Sequence, residues 1–231
     1  MGPSGPFFFI YIPMSNTTID LDTELSAVNS ILGSIGQAPV TTLGRLTTTV
    51  SSTDEVANTY ENPEIALIYN IFKSCCQDVQ NEGWHFNKEY HVEVEPDGNK
   101  NIVIPNNYLR YDLNQNQVFK DKDLVRRNGK LYDLVNHTDE FEDTLYLDIV
   151  YFISFEDLPP VFRRYIISKA SVKAATQLVN NSELVQLLQT EEATNRAACV
   201  EYDTDQGDYS FMGWPENTSY RAFQPYKVLQ R

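Results

Sequence analysis

Acidic side chains are the most numerous groups in this chain that could do chemistry, since 32 Asp and Glu stand against 18 Lys and Arg. They form short runs at Glu140–Asp143 and at Glu191-Glu192. Two carboxylates could act as the acid and the base of a glycoside hydrolase. Glu191-Glu192, however, lies in a predicted helix, where neighbouring acids usually face water, and no pair stands out by its spacing. We therefore predict no enzymatic activity, with a hydrolase as the alternative.

Histidine and cysteine, common ligands of metal ions, show no ligand spacing in this sequence. His85, His91 and His137 are isolated from one another, and the three cysteines include an adjacent pair, Cys75 and Cys76. Such spacing predicts neither a disulfide framework nor a zinc site, and we expect the cysteines to be small buried residues. The sequence also lacks a Walker loop, a Rossmann fingerprint and a nucleophile elbow. No cofactor or metal ion is predicted.

The formal net charge of −14 at pH 7 argues against tight DNA binding, which depends on clustered Lys and Arg. The densest basic cluster consists of Arg126, Arg127 and Lys130. It surrounds Asn128-Gly129, which is the strongest hairpin signal in the chain because both residues favour a positive φ. We therefore expect a projecting hairpin with a basic tip.

Two helices are predicted before residue 84, because apolar residues recur at steps of three and four. These residues are Leu25, Val28, Leu32 and Ile35 in the first helix, and Ile65, Ile68, Phe72, Cys75 and Val79 in the second. Asp22 or Thr23 can cap the first helix, and Asn62 followed by Pro63 is predicted to begin the second. Gly36 and Gly83 are predicted to end them. The Thr- and Ser-rich residues 41–61 are predicted to form a long loop.

From Trp84 onward apolar and polar residues alternate, as they do in strands with one buried face. The pattern predicts a first strand that begins near His85 and includes residues 90–94, then strands at 102–104, 109–113, 124–127 and 130–132, and a long strand at 145–155. We interpret residues 84–155 as a small antiparallel β domain inserted between helices.

Pro159-Pro160 opens a third predicted helix, which runs to about Val179, and Asn180-Asn181-Ser182 separates it from a fourth. Their apolar positions include Phe162, Ile166, Ala170 and Leu178 in the third helix, and Leu184, Leu187, Leu188, Ala198 and Tyr202 in the fourth. The short break predicts antiparallel neighbours. The predicted fold class is α+β: a four-helix bundle of residues 21–83 and 156–205 with the β domain inserted at 84–155 and extended arms at both termini.

The two arms are predicted at residues 1–20 and 206–231. The first contains the apolar run Phe7–Pro13, which is too short to cross a bilayer; it either precedes a true start at Met14 or docks on a partner. The second has no helical or strand period but is rich in aromatic residues, unlike a solvated disordered tail. We expect it to be buried against its own chain or another subunit. Its predicted contact residues are Tyr209, Phe211, Trp214, Tyr220, Arg221, Phe223 and Tyr226.

The string Glu24–Val40 resembles the opening helix of the tail tubular protein A family, the adaptor proteins of short-tailed, T7-like bacteriophages (podoviruses). Further patches that resemble the family follow in order as far as Tyr202: Gly83-Trp84-His85-Phe86-Asn87, Asp157-Leu158-Pro159, Phe162-Arg163, Lys169-Ala170-Ser171 and Glu191-Glu192. The chain departs from the family in the N-terminal arm, in the longer loop at residues 44–60 and in the tail after Gly207.

This resemblance implies a structural virion protein that is assembled in the host cytoplasm. Such proteins form a ring, usually of twelve copies, between the portal protein and a tail nozzle similar to tail tubular protein B. Tail fibres attach at the periphery of the ring, and double-stranded DNA passes through its lumen without specific binding. No membrane partner is implied.

On this resemblance we expect the C-terminal arm to dock on the portal. Arg126, Arg127, Asn128, Gly129 and Lys130 are expected to contact the nozzle or a fibre. Because a ring multiplies the acidic excess, the channel surface is expected to be acidic or neutral. The alternatives are a tail-associated cell-wall hydrolase and a monomeric acidic binding module.

Overall fold

The computed structural model describes residues 23–43, 45–48, 57–60, 62–114, 122–179 and 181–207. Within these ranges the chain forms four helices and seven strands. The helices are α1 (Glu24–Ser34), α2 (Pro63–Asn81), α3 (Pro160–Leu178) and α4 (Ser182–Gly207). The strands are β1 (Arg45–Thr48), β2 (Ala57–Tyr60), β3 (Lys88–Val94), β4 (Tyr108–Leu113), β5 (Leu124–Arg127), β6 (Lys130–Asp133) and β7 (Leu145–Tyr151). The fold class is α+β, as predicted.

The ends of the first two helices follow their local signals. The side chain of Thr23 accepts a hydrogen bond from the Ser26 amide at 3.2 Å, and that of Asn62 accepts one from the Glu64 amide at 2.9 Å. Gly36 and Gly83, just past α1 and α2, have φ angles of +77° and +81°. These caps confirm the predicted starts and ends, because glycine adopts a left-handed conformation more readily than any other residue.

Helix α3 lies at the centre of the helical part and contacts α1, α2 and α4. Its Phe162 ring meets the Trp84 ring edge-on with centroids 4.9 Å apart. Hydrogen bonds join Arg196 to Tyr165 and Cys199 to Val161, so α3 and α4 run antiparallel, as predicted. The central position explains why α3 buries residues on several sides rather than along one stripe.

Helix α4 is mostly exposed, and this corrects part of the predicted apolar face. Leu188 is buried as predicted, but Leu187 is 70% exposed and Ala198 is also exposed, while the neighbouring Cys199 is buried. Leu178 at the end of α3 is 41% exposed. The physical reason is that α4 packs along one side only, against α3 and the 3-10 turn at His85–Asn87, so only a narrow stripe of the helix is buried.

The β part has its own hydrophobic cluster. Strands β3, β7 and β4 form an antiparallel sheet in that order, and β5 and β6 form a separate hairpin. Val92 pairs with Leu147, and Tyr111 with Ile149. The buried residues of this cluster are Ile102, Ile104, Leu131, Phe141, Leu145, Leu147 and Ile149. The helical cluster is separate from it and is built around Phe72, Phe155 and Phe162.

Two predicted strand boundaries, one predicted strand and one predicted loop are wrong. Residues 41–61 are not wholly loop, because β1 and β2 pair there as an antiparallel ladder. Residues 102–104 form no strand; Val103 makes one isolated bridge to Lys130. His85 starts no strand but lies in a 3-10 turn, His85–Asn87. The last strand ends at Tyr151, and Phe155 beyond it packs into the helical cluster. His85 and Phe155 follow partners that are distant in sequence, since the His85 amide donates to Asp203 and the Phe155 ring meets the ring of Phe72.

Both predicted arms lie wholly or almost wholly outside the described residues: the first at 1–20 and the second at 206–231. The described part of the second arm belongs to α4, which continues to a buried Gly207. Among the described helices, none is both long and apolar enough to cross a bilayer.

Candidate functional site

The two acid runs lie on different elements, one in the segment before β7 and the other on α4. Glu142 lies exposed before β7, and the Lys100 ammonium donates to its carboxylate at 2.6 Å. This hydrogen bond and the nearby positive charge lower the pKa of Glu142, the opposite of what a general acid needs. Glu191 and Glu192 lie on α4. A cleft of about 370 Å³ beside β7 includes other acids, Glu89 and Asp157, in its wall.

The cysteines are buried and free, as predicted. Burial raises the pKa of the Cys76 and Cys199 thiols to about 12. A thiol with such a pKa stays protonated at neutral pH and is a poor nucleophile. Within the described ranges, no group of three or more His, Cys, Asp or Glu side chains is placed to hold a metal ion.

The predicted basic hairpin is present. Asn128 and Gly129 connect β5 to β6 with φ angles of +50° and +76°, the sign that a type I′ turn requires. Arg126, Arg127 and Asn128 are exposed, whereas Gly129 and Lys130 are half-buried. The Arg126 guanidinium donates to the Asn106 side chain at 2.6 Å, and that of Arg127 lies 4.0 Å from the Tyr132 ring centroid. The basic side chains are therefore presented in defined positions.

The base of this hairpin is tied to the β core. Leu131 is fully buried, and its amide donates to the carbonyl of Ile102 at 2.8 Å. The Ile104 amide donates to the carbonyl of Gly129 at 2.9 Å. Residues 102–104 thus run along the free edge of β6. Their hydrogen bonds hold the hairpin against the β core.

The end of β6 carries a buried carboxylate that sequence reasoning missed. Asp133 is 1% exposed and accepts hydrogen bonds from the backbone amides of Asp123 and Val135 and from the side chain of Asn136. Burial raises the pKa of Asp133, but these hydrogen bonds outweigh it, and the net pKa lies below the usual value. The sequence shows only an acid that directly follows Leu131 and Tyr132 in the predicted hairpin.

We expect Asp133→Ala to lower the free energy of unfolding by about 2 kcal/mol at pH 7, because buried amides lose a charged acceptor. Because the pKa of Asp133 is lower in the folded state, its stabilising contribution is fully present above the unfolded-state pKa of about 4. The contribution is lost as the pH falls through the folded-state pKa. Urea unfolding at pH 7 and at about pH 2.5 measures both effects. The exposed Glu140→Ala is the control, and equal losses for the two variants at pH 7 would contradict the role given to Asp133.

Two buried amide side chains join the helical part to the β part. Gln80 at the end of α2 is fully buried; its Oε1 accepts from the Ile153 amide at 2.7 Å and its Nε2 donates to the Ile153 carbonyl at 3.0 Å. Asn87 donates to the carbonyls of Gln80 and Tyr151, both at 2.9 Å, and accepts from the Trp84 amide at 2.9 Å. We call Gln80 and Asn87 the amide clamp.

The chain enters the β part after α2 and leaves it after β7. The amide clamp holds these two connecting segments together, because Gln80 and Asn87 bind backbone groups in both. Its geometry allows little rotation, because each amide makes more than one hydrogen bond in a buried place. Sequence reasoning did not single out Gln80. Asn87 belonged to a quoted family patch, but its role was not predicted.

A charged network surrounds the same junction. Arg196 on α4 forms a forked pair with Glu82 at 3.0 and 2.9 Å and donates to the Tyr165 hydroxyl at 2.7 Å. The hydrogen bond to Glu82 is the main cause that raises the pKa of Arg196. The Asp203 carboxylate accepts from the His85 amide at 2.6 Å. These contacts attach α4 to the start of the β part as well as to α3.

The aromatic residues predicted to contact a partner, Tyr209 to Tyr226, lie outside the described residues together with Arg221. The described residues therefore include the basic hairpin as the predicted contact site, whereas the amide clamp is a buried joint that was not predicted.

Comparison with known proteins matches most of the chain, across both parts, to one family. The family model described as tail tubular protein matches residues 25–209. This range includes all seven described strands and all four described helices except Glu24, the first residue of α1. No curated protein matches the chain. Because the match covers most of the chain, this protein belongs to the tail tubular protein family and is a structural component of a bacteriophage tail.

Proposed function

We propose that this protein forms the adaptor ring of a short-tailed bacteriophage, joining the portal protein to the tail nozzle and continuing the channel through which DNA is ejected. The family match across both the helical and the β part carries the proposal. In this arrangement the four helices form one bundle from which the β domain projects, and the two terminal arms reach neighbouring subunits.

The joint between the two parts suits a ring subunit. A ring that carries portal on one side and nozzle on the other must keep its two binding surfaces at a fixed angle. The amide clamp and the pair between Arg196 and Glu82 both act against rotation at this joint. Head-to-tail contacts between identical rigid subunits close into rings when the rotation between neighbours divides a full turn.

The partner surfaces follow from position and residue type. The aromatic C-terminal arm is proposed to dock on the portal, since buried aromatic side chains dominate interface energies. The basic hairpin, Arg126 to Lys130, is proposed to contact the nozzle or a tail fibre. DNA is proposed to pass through the lumen unheld, because the chain has an excess of 14 negative charges and tight duplex binding needs clustered cations.

The mass of the portal-bound protein tests this function. We expect many copies per portal and a closed ring in electron micrographs of the complex, because head-to-tail contacts between identical subunits saturate only when the ring closes. A DNA-retention assay at low salt should show no salt-sensitive binding to the ring. One bound copy per portal, or a chain that stays monomeric beside the portal, would contradict the adaptor ring and favour the monomeric binding module.

A further inference from the structure

The turn of the basic hairpin carries the only Asn-Gly pair of the chain, Asn128-Gly129. Asparagine is a thermolabile residue, because the backbone nitrogen of the next residue can attack its side-chain amide. Glycine in the next position favours this attack, since it has no Cβ to shield its nitrogen. Whether the reaction occurs in a folded protein depends on whether the fold leaves both groups open.

Both groups are open in this turn. Asn128 is exposed, and its side chain makes no hydrogen bond in the part of the chain that the structure describes. A Cβ added at Gly129 would meet no atom within 4 Å, so the space beside the attacking residue is open as well. The Asn128 amide is therefore free to turn toward the Gly129 nitrogen.

The charge around the turn favours the same reaction. Arg127 and Lys130 pair directly across it, and neither belongs to an ion pair among the described residues. The attack requires the Gly129 amide to lose its proton, and nearby cations stabilise the resulting anion. The turn thus combines an electrophile, a nucleophile and a favourable electric field.

The Asp97-Gly98 turn of the β part shows the opposite arrangement. The Asp97 carboxylate accepts hydrogen bonds from the Asn99 and Asn101 amides at 2.9 and 2.8 Å. A side chain held by two backbone amides is kept away from the nitrogen that follows it. Asn99 is exposed like Asn128, but it precedes Lys100, whose side chain crowds the attack. Only the hairpin turn combines both requirements among these sites.

We infer that Asn128 is a site of spontaneous deamidation, the fastest among the described asparagines. The Gly129 nitrogen bonds to Cγ of Asn128, the bond from Cγ to Nδ2 breaks, and ammonia leaves with the proton that the Gly129 amide gave up. Water then opens the five-membered imide ring at either of its carbonyls, which gives aspartate or isoaspartate. Water is the sole co-reactant, and nothing is oxidised or reduced.

Both products change the basic hairpin. A new carboxylate lowers the formal charge of residues 126–130, which include two arginines and one lysine, from +3 to +2. Isoaspartate also adds one carbon to the backbone, which a two-residue type I′ turn does not accommodate. The hydrogen bond from the Ile104 amide to the Gly129 carbonyl should then weaken. This chemistry goes beyond the proposed ring and does not depend on it.

Ageing of the free full chain in warm, mildly alkaline buffer tests the inference. Peptide mass spectrometry follows the replacement of NH2 by OH at each asparagine, and an isoaspartate-specific methyltransferase detects isoaspartate. Hydrogen exchange follows the Ile104 amide. Asn99 is the internal reference, and Asn128→Gly is the matched variant, because a Gly-Gly pair also suits a type I′ turn but has no side chain to cyclise.

We expect Asn128 to convert at least tenfold faster than Asn99, with isoaspartate among the products and faster exchange of the Ile104 amide in the aged chain. In the Asn128→Gly chain no isoaspartate should form at the turn, and exchange at Ile104 should not change with age. Conversion of Asn128 no faster than that of Asn99 would overturn the inference, because it would mean that the folded turn keeps the side chain from the Gly129 nitrogen. Equal amounts of isoaspartate in the wild type and in Asn128→Gly would overturn it too.

Discussion

A chain that ends at Gly207 is expected to lose portal binding while its described helices and strands remain folded. The deleted segment carries Trp214, Phe223 and four further aromatic residues at positions 209–226. Hot-spot Trp and Tyr side chains cost about 2 kcal/mol or more each when truncated, so two or three of them in the docked arm correspond to about a thousandfold loss in affinity. The helical cluster around Phe72, Phe155 and Phe162 and the β cluster around Leu131 and Leu147 remain in the truncated chain, which is why its fold should survive.

Binding to immobilised portal, with circular dichroism as the check on folding, measures this effect. The matched control is the double variant Arg126→Gln and Arg127→Gln, which alters the proposed nozzle or fibre surface and should bind portal as the wild type does. If the truncated chain binds portal undiminished, the docking role of the arm is wrong. If the hairpin variant alone loses portal binding, the two surfaces have been assigned to the wrong partners.

The second large effect is expected at the amide clamp. Asn87→Leu keeps the number and branching of the side-chain heavy atoms but removes the partners of the Trp84 amide and of the Tyr151 carbonyl. Each buried group left unsatisfied costs about 1–3 kcal/mol, and a loss of roughly 3 kcal/mol in the free energy of unfolding follows. The Gln80 carbonyl is spared in part, since it also accepts from the Gly83 amide.

Urea denaturation monitored by tryptophan fluorescence gives this value, because Trp84 lies at the junction and is 7% exposed. Asn99→Leu is the control, since Asn99 is exposed and its change should stay within about 0.5 kcal/mol. A loss below 1 kcal/mol for Asn87→Leu would show that the clamp contributes little. We also expect this variant to assemble poorly, because a loosened joint no longer holds the two binding surfaces at one angle.

Local signals predicted the parts of the fold that depend on neighbours in sequence. Thr23 and Asn62 cap their helices, Gly83 ends α2, and Asn128-Gly129 turns the hairpin, all as predicted. These features depend on φ preferences and on hydrogen bonds that span a few residues. The same reasoning could not end β7 at Tyr151, because the apolar residues that follow it still alternate, although Phe155 packs against Phe72.

The sequence by itself determined the fold class, the order of the helices and the hairpin with its basic tip, since each is encoded by periodicity, caps or turn residues close together in the chain. Only the tertiary structure decided that Gln80 and Asn87 join the two parts, that Asp133 anchors the hairpin, and that Arg163 is buried. A polar residue looks the same in sequence whether it faces water or a distant backbone group. Its role is set by long-range packing, which brings together residues such as Gln80 and Ile153 that lie 73 positions apart.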